Sequence, residues 1–273
     1  MFTERMERLR ARLTEADEDV ALITDDDSVY YFTGFYDYLY MEFGRPTILA
    51  VSRDGGSLLI TPSMEIDMAE AAAVVDQVEA WNYGMGKEWR EALPALLNGS
   101  GPVAIEPELP AVVRNYVDSL VEKKQLFDVT NIVAEMRMVK SSEELQLARH
   151  AVQVAMAMIT AWYETIGDGV PEYEVALAIS AFGTRRSAEL LDEFYEDSRM
   201  SPTTHFLQIM ASEKEIIMPH HRASTRKMKR GEPVFLCFCG MTNFHRFKLG
   251  FDRTFWIDEI ADKSQETIYQ VGV

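Results

Sequence analysis

The chain has 273 residues, 47% of them hydrophobic, and a formal net charge of −17 at pH 7. This length is enough for one large or two ordinary domains, and the hydrophobic fraction excludes a mainly disordered chain. The acidic balance argues against nucleic acid as a partner, because binding to phosphate depends on positive charge. No apolar run reaches the roughly 18 residues that a membrane span needs, so we expect no membrane partner.

The N-terminus and the cysteines indicate the cellular compartment. The first eight residues lack the apolar core of a signal peptide. The two cysteines, Cys237 and Cys239, lie two positions apart on one predicted strand, and we expect no disulfide between them. A reducing cytoplasm is the compartment that these features favour.

Residues 1–133 alternate between segments typical of helices and of strands. Thr3 to Ala16 predicts a helix because Met6, Leu9 and Leu13 share one face. Arg53-Asp-Gly-Gly between two apolar runs is a hairpin signal. Further strands are predicted at 20–24, 77–83, 103–106 and 126–129, and further helices near 63–75, 87–98 and 110–124. This pattern indicates an α/β domain with a mixed sheet over residues 1–133.

A second domain is predicted over residues 134–273. Ser141 and Glu144 form a capping-box sequence that opens a long helix to about Ile166. Pro171 starts the next helix, which we expect to end near Glu196. A strand is predicted at 204–211. The overall fold class is therefore α/β in two domains.

Residues 218–257 collect the side chains best suited to chemistry. His220 and His221 precede a short apolar strand, 234–237, and Asp252 lies on the predicted partner strand, joined to it by a hairpin with His245 near its tip. An imidazole both takes and gives a proton near neutral pH. The nearby basic run would attract a substrate carboxylate, or it is simply a solvated loop; its members are Arg222, Arg226, Lys227, Lys229 and Arg230. Asp252 faces the histidine, or it forms a surface ion pair with Arg253.

The sequence offers less support for a metal site or a serine nucleophile. A metal site needs several converging ligands, yet the strand at 234–237 carries no carboxylate, and no Cys or His spacing matches a zinc motif. The G-x-S-x-G signature of a serine nucleophile is also absent.

Several motifs, in this order, resemble the pita-bread family of creatinase, prolidase, aminopeptidase P and methionine aminopeptidase. They are Met136-Arg-Met-Val-Lys-Ser-Ser-Glu-Glu, Val170-Pro-Glu-Tyr-Glu-Val-Ala-Leu, Pro219-His220, Ser224-Thr-Arg-Lys with Gly231, and Asp252-Arg-Thr-Phe. Phe43-Gly-Arg-Pro in the N-terminal domain makes creatinase the most similar member. The resemblance covers nearly the whole chain. It implies a creatinase-like N-terminal domain followed by a pita-bread catalytic domain.

The resemblance also implies roles for individual residues. His220 falls on the histidine that creatinase uses as general acid/base, and Asp252 on the carboxylate that precedes the Arg-Thr pair, where creatinase has the longer Glu. Phe43 and Arg45 would bind the substrate carboxylate from the second subunit of a homodimer. The two metal-binding aspartates of the metallopeptidases would fall on Cys237 and Gly250, so the resemblance implies no metal and no other cofactor.

The activity that follows is metal-independent hydrolysis of a C–N bond in a small carboxylate-bearing substrate. Creatine-like guanidino compounds, amidines and ectoine-type rings are the substrate classes expected. One alternative is an Xaa-Pro aminopeptidase-like metallopeptidase. Another is an inactive fragment or a binding protein, because the family's catalytic domain is about twice as long as the part that follows residue 135, and only its first half is expected here.

Overall fold

In the computed structural model, the described residues are 1–36, 46–82, 89–97, 100–195, 200–202, 209–238, 242–250 and 252–272. The chain divides into two compact units, Met1–Lys140 and Ser141–Val273. The predicted substrate-binding residues Phe43 and Arg45 lie outside the described residues, as does Cys239. No described helix combines the length and the apolar character needed to cross a membrane.

The first unit is a six-stranded mixed sheet in the order β4-β3-β2-β1-β5-β6. Its strands are β1 (Val20–Ile23), β2 (Ile48–Ser52), β3 (Ser57–Pro62), β4 (Gln77–Trp81), β5 (Val103–Ile105) and β6 (Leu126–Asp128). Its helices are α1 (Phe2–Ala16), α2 (Asp26–Thr33), α3 (Ile66–Ala72), α4 (Trp89–Leu97), α5 (Ala111–Leu120) and α6 (Thr130–Met138). The mixed α/β class predicted from the alternating pattern is confirmed.

Helices cover both faces of this sheet because successive strand residues point to opposite sides. Ala21 and Ile23 of β1 belong to one buried cluster with residues of α1, α2, α3 and α6. Val20 and Leu22 belong to a second buried cluster with residues of α4 and α5. The strand is therefore apolar throughout, as buried strands of α/β proteins are.

The second unit packs two long helices against a small antiparallel sheet. Its helices are α7 (Ser142–Thr165), α8 (Glu172–Phe194) and α9 (Lys263–Gly272), and its strands are β7 (Ile209–Ser212), β8 (Pro233–Cys237), β9 (Thr242–Phe244), β10 (Phe247–Leu249) and β11 (Asp252–Trp256). The sheet order is β11-β8-β7, with β9 and β10 forming a separate two-stranded ribbon. The predicted capping box is present, since the hydroxyl of Ser141 accepts from the amide of Glu144, and the Glu144 carboxylate accepts from the amide of Ser141.

The connection between β8 and β11 is longer than the predicted hairpin. The β9–β10 ribbon lies between them, and His245 and Arg246 form its turn with φ angles of 49° and 63°. Both residues adopt the left-handed conformation that such a tight turn requires. His245 thus stands at a turn, as predicted, but at the turn of a separate ribbon.

Candidate functional site

The candidate site lies on the face of the β11-β8-β7 sheet opposite the long helices. Val234 and Leu236 of β8 are fully buried in the cluster that includes residues of α7 and α8. Because side chains alternate along a strand, Phe235 and Cys237 point to the opposite face. Asp252, the register partner of Cys237, shares that face and is exposed.

The sheet register brings the two predicted catalytic segments to one end of the sheet. Ile209, Cys237 and Asp252 form a row of register partners across the three strands, and Arg222 bridges to Ile209 on the outer side. Three inter-strand steps of about 4.8 Å each place the backbone of the histidine loop about 14 Å from that of Asp252. The histidine loop and Asp252 therefore lie on opposite sides of the two intervening strands, with room for a small ligand between them.

The two neighbouring histidines occupy different environments. His220 is exposed, whereas the side chain of His221 is only 17% exposed. The amide of His221 donates to the carbonyl of Met218 at 3.1 Å, and its carbonyl accepts from the amide of Met210 in β7 at 3.1 Å. These bonds fix the backbone beside His220 and leave the His220 side chain directed to solvent.

His221 is held by Glu172, a fully buried carboxylate at the start of α8. The Nε2 atom of His221 lies 3.3 Å from Oε2 of Glu172. An ionised carboxylate only accepts hydrogen bonds, so Nε2 is the donor in this contact. The sequence alone gives no sign of this contact between His221 and Glu172.

Glu172 accepts three further hydrogen bonds from two serines. Its Oε1 accepts from the hydroxyl of Ser212 at 2.6 Å, and its Oε2 accepts from the hydroxyl and the amide of Ser224 at 2.6 and 3.0 Å. Burial by itself raises the pKa of Glu172, but the hydrogen bonds from Ser212, Ser224 and His221 outweigh it and hold the pKa below the ordinary value of 4.5. The carboxylate is therefore ionised at neutral pH.

Arg226 extends the network and removes one charge from the predicted basic run. Its Nη1 donates to the hydroxyl of Ser212, and its Nη2 donates to Glu232, both at 2.7 Å. A second member of the run, Arg230, forms an ion pair with Glu259 at 3.3 Å. These two arginines neutralise carboxylates of their own chain, so they add little to any attraction for a substrate.

The buried network escapes prediction from the sequence because its members are far apart in the chain. Ser212 and Ser224 lie 40 and 52 residues from Glu172. The one local signal is the position of Glu172 next to Pro171, where acidic residues favour the start of a helix. Nothing local shows that this carboxylate is buried.

Two family matches cover almost the whole chain. Residues 5–139 match the Creatinase/Prolidase N-terminal domain, and residues 146–273 match Metallopeptidase family M24. The chain belongs to the pita-bread family. The family predicted from the motifs is thereby confirmed.

Pita-bread proteins similar to this chain include creatinase and several peptidases. Creatinase from Bacillus sp. (strain B-0618) is 27% identical, matching 97% of this chain and 62% of its own length. The Xaa-Pro dipeptidase of Pyrococcus furiosus is 24% identical, matching 98% of this chain and 68% of its own length. The structure of the prolidase from Pyrococcus horikoshii OT3 has a TM-score of 0.78 at 21% identity, covering 98% of this chain and 69% of that one. The chain thus spans 62% to 69% of the length of these relatives.

The predicted creatinase-like, metal-independent hydrolysis of a non-peptide C–N bond is wrong, and so is the enzyme class assigned with it. The similar pita-bread proteins are predominantly Xaa-Pro dipeptidases and prolidases, which are named for peptide substrates. The motifs that suggested creatinase lie on the fold that these enzymes share. A shared fold supports many activities, so those motifs did not discriminate between substrates.

The M24 match implies a metal ion, which is held by converging His, Cys, Asp or Glu side chains. Within the described ranges, no group of three or more such side chains is placed to bind one. The β8–β11 strand pair offers a thiol and a carboxylate at paired positions, Cys237 and Asp252. The described residues therefore do not fit a metal centre, and we assign no chemical step to a metal ion.

Proposed function

We propose that the protein to which this chain belongs hydrolyses the peptide bond of Xaa-Pro dipeptides. The observation that carries the proposal is the match to Xaa-Pro dipeptidases of two Pyrococcus species over 98% and 99% of this chain, through both units. A chance resemblance of one domain would not extend over both.

On the face of the small sheet opposite the long helices, the separation between the histidine loop and Asp252 suits a dipeptide. An extended dipeptide is about 7 Å long, and the backbone separation between the histidine loop and Asp252 is about 14 Å. The side chains of His220 and Asp252 would extend from either side and fill the rest of this distance. In this arrangement a water molecule attacks the carbonyl carbon of the scissile bond, and the C–N bond breaks as the exposed imidazole of His220 gives a proton to the leaving nitrogen; the proton lost by the water then returns to His220. Asp252 binds the cationic amino end of the substrate. Arg45, supported by Phe43, is proposed to bind the substrate carboxylate with two parallel hydrogen bonds.

The test is an assay of proline release by the full-length protein. Ala-Pro, Met-Pro and Gly-Pro are compared with Ala-Ala and creatine, with and without added Mn²⁺, Co²⁺ or Zn²⁺. We expect turnover of the Xaa-Pro dipeptides and none of creatine. His220→Ala should lower kcat by about 10²–10⁴, the usual contribution of a general acid/base, with a smaller change in KM.

Lys214→Ala is the matched control, because Lys214 is exposed in the turn that precedes the histidine loop. It should keep wild-type kcat and KM. If none of the dipeptides releases proline under any of the metal conditions, the proposed activity is ruled out. Wild-type kcat in His220→Ala would rule out the role of His220 alone.

A second candidate is binding of such peptides without hydrolysis. The observation that favours it is the lack of a metal-binding cluster in the part of the chain that the structure describes. Titration calorimetry with Ala-Pro separates the two functions. A saturable heat of binding without proline release would support the binding protein, and no heat and no release would exclude both.

We also propose that the protein acts as a homodimer in the cytoplasm. The dimer is supported by the expected contribution of Phe43 and Arg45 from a second subunit, and the reducing compartment by the spacing of Cys237 and Cys239 along the sequence, which disfavours a disulfide between them. Sedimentation of the full-length protein and fractionation of its source cells test the two statements separately.

A further inference from the structure

We propose that Glu172 is a positioning residue that orients His220 by holding the loop formed by residues 218–228. The proposal rests on the proposed function, because it takes His220 as the group that acts on substrate. Glu172 itself is fully buried, so it would act only through the loop.

The carboxylate of Glu172, at the start of α8, connects to two other segments of the second unit. Ser212 belongs to β7, whereas His221 and Ser224 both lie in the loop, with His221 next to His220. Backbone hydrogen bonds also join the loop to β7 and to the start of α8, and the carboxylate adds side-chain contacts at the same place. Loss of the carboxylate would release its four hydrogen bonds to Ser212, His221 and Ser224 at once.

Backbone bonds attach the same loop to the start of α8. The amides of Glu172 and Tyr173 donate to the carbonyls of Arg226 and Ser224, each at 3.0 Å, and the amide of Met228 donates to the carbonyl of Val170 at 3.0 Å. The first amides of a helix have no partner within the helix, so loop carbonyls satisfy them here. This part of the loop is anchored on one side to α8 and, through His221, on the other side to β7.

His220 is the exposed member of an otherwise anchored segment. Its neighbour His221 is fixed by its amide, its carbonyl and its imidazole. A loop held in this way presents the His220 side chain in one direction, and general acid catalysis depends on such geometry. Without the carboxylate, His220 would sample several directions, and fewer substrate complexes would be productive.

The kinetic test uses Glu172→Gln in the full-length protein with the best Xaa-Pro substrate. The amide keeps the size of the side chain but removes the charge and one acceptor. We expect kcat to fall about tenfold and KM to change less than about twofold, because a misplaced acid affects turnover more than binding. Glu174→Gln is the matched control: it removes the same charge from an exposed position of the same helix turn and should leave kcat unchanged.

A double-mutant cycle separates positioning from a merely structural role. If Glu172 acts through His220, Glu172→Gln should have no further effect on kcat in the His220→Ala background. Effects on kcat that multiply would overturn the proposal. If Glu172→Gln does not fold, Ser224→Ala replaces it in the cycle, and Ser224→Thr, which keeps the hydroxyl, should restore wild-type kcat.

A measurement without substrate keeps the proposal testable if the protein does not hydrolyse Xaa-Pro dipeptides. Glu172→Gln should increase hydrogen exchange at the amides of Tyr173, Arg226 and Met228 at least tenfold and change the NMR signal of the His220 imidazole. Glu174→Gln should change neither. Unchanged exchange and an unchanged His220 signal in a folded Glu172→Gln protein would overturn the proposal, whatever the substrate proves to be.

Discussion

Two buried glutamates show how the surroundings of a single residue set its ionisation. Glu172 has its pKa lowered by hydrogen bonds from Ser212, Ser224 and His221, in spite of burial. Glu106, at the end of β5, has its pKa raised because burial outweighs the hydrogen bonds from the amides of Thr24 and Asp25 and from the Thr24 hydroxyl.

These opposite shifts have opposite effects on stability. The ionised Glu172 stabilises the fold above its ordinary pKa of about 4.5, and this contribution is lost as the pH falls through its lower folded value. The proton on Glu106 stabilises the fold at low pH, and that contribution is lost as the pH rises through its raised folded value.

Glu106→Gln is therefore expected to increase the free energy of unfolding at pH 7 by on the order of 1 kcal/mol. Its amide oxygen can accept the same hydrogen bonds without burying a charge. The gain should disappear below about pH 4, where Glu106 is already protonated. Urea unfolding of both proteins from pH 3 to pH 7 measures this.

The comparison of Glu106→Gln with the wild type has two controls. Glu106→Leu removes the acceptor and should destabilise the protein at every pH, because the amides of Thr24 and Asp25 lose their partner. Glu172→Gln should show the reverse pH profile, with a stability deficit above about pH 4.5 that shrinks as the pH falls. A Glu106→Gln protein less stable than wild type at pH 7 would contradict the expectation.

At the scale of elements, a close contact at Gly231 sets how β8 begins. Gly231 has φ of 83°, and a Cβ at this position would lie 2.6 Å from the Cβ of Ala261. Its amide donates to the carbonyl of Ile257, just after β11. The glycine thus allows the segments next to β8 and β11 to approach each other closely.

Gly231→Ala is expected to lower the free energy of unfolding by about 2–4 kcal/mol, since it combines left-handed strain with overpacking. Gly169→Ala separates the two contributions, because Gly169 has φ of 78° but a Cβ added there would meet nothing within 4 Å. It should cost only about 1–2 kcal/mol. Equal losses in the two variants, measured by urea unfolding, would show that the contact with Ala261 is unimportant.

At the scale of the whole molecule, the second unit exposes a row of apolar side chains along α7. Leu145, Val152, Met156 and Tyr163 are 46%, 47%, 54% and 64% exposed, and their spacing places them on one face of the helix. Large exposed apolar surfaces of this kind favour association. A second copy of the chain is the partner that the expected homodimer supplies.

We therefore expect the 273-residue chain to self-associate in sedimentation velocity experiments between about 1 and 100 μM. Val152→Lys with Met156→Lys should shift it toward monomer, because two charges would have to be buried in the contact. Met138→Lys, which also replaces an exposed methionine, is the control and should not change the self-association. A wild-type chain that remains monomeric over this range would contradict the expectation.

Local residue patterns were enough to predict most of the elements. The spacing of Met6, Leu9 and Leu13 predicted α1, the Arg53-Asp-Gly-Gly turn predicted the β2–β3 pair, and Ser141 with Glu144 predicted the start of α7. These signals act within a few residues of the chain, so they can be recognised without tertiary structure. The family was recognisable for a related reason, because its motifs are short and occur in a fixed order.

Contacts between distant residues were decided only by the tertiary structure. The register of β7, β8 and β11 placed Asp252 beside Cys237 and three inter-strand steps from the histidine loop. The burial of Glu172 depended on Ser212 and Ser224, whose partner could not be identified from any spacing along the chain. A carboxylate at a helix start is compatible with an exposed cap or a buried anchor, and only the packing of the other segments around it decides between them.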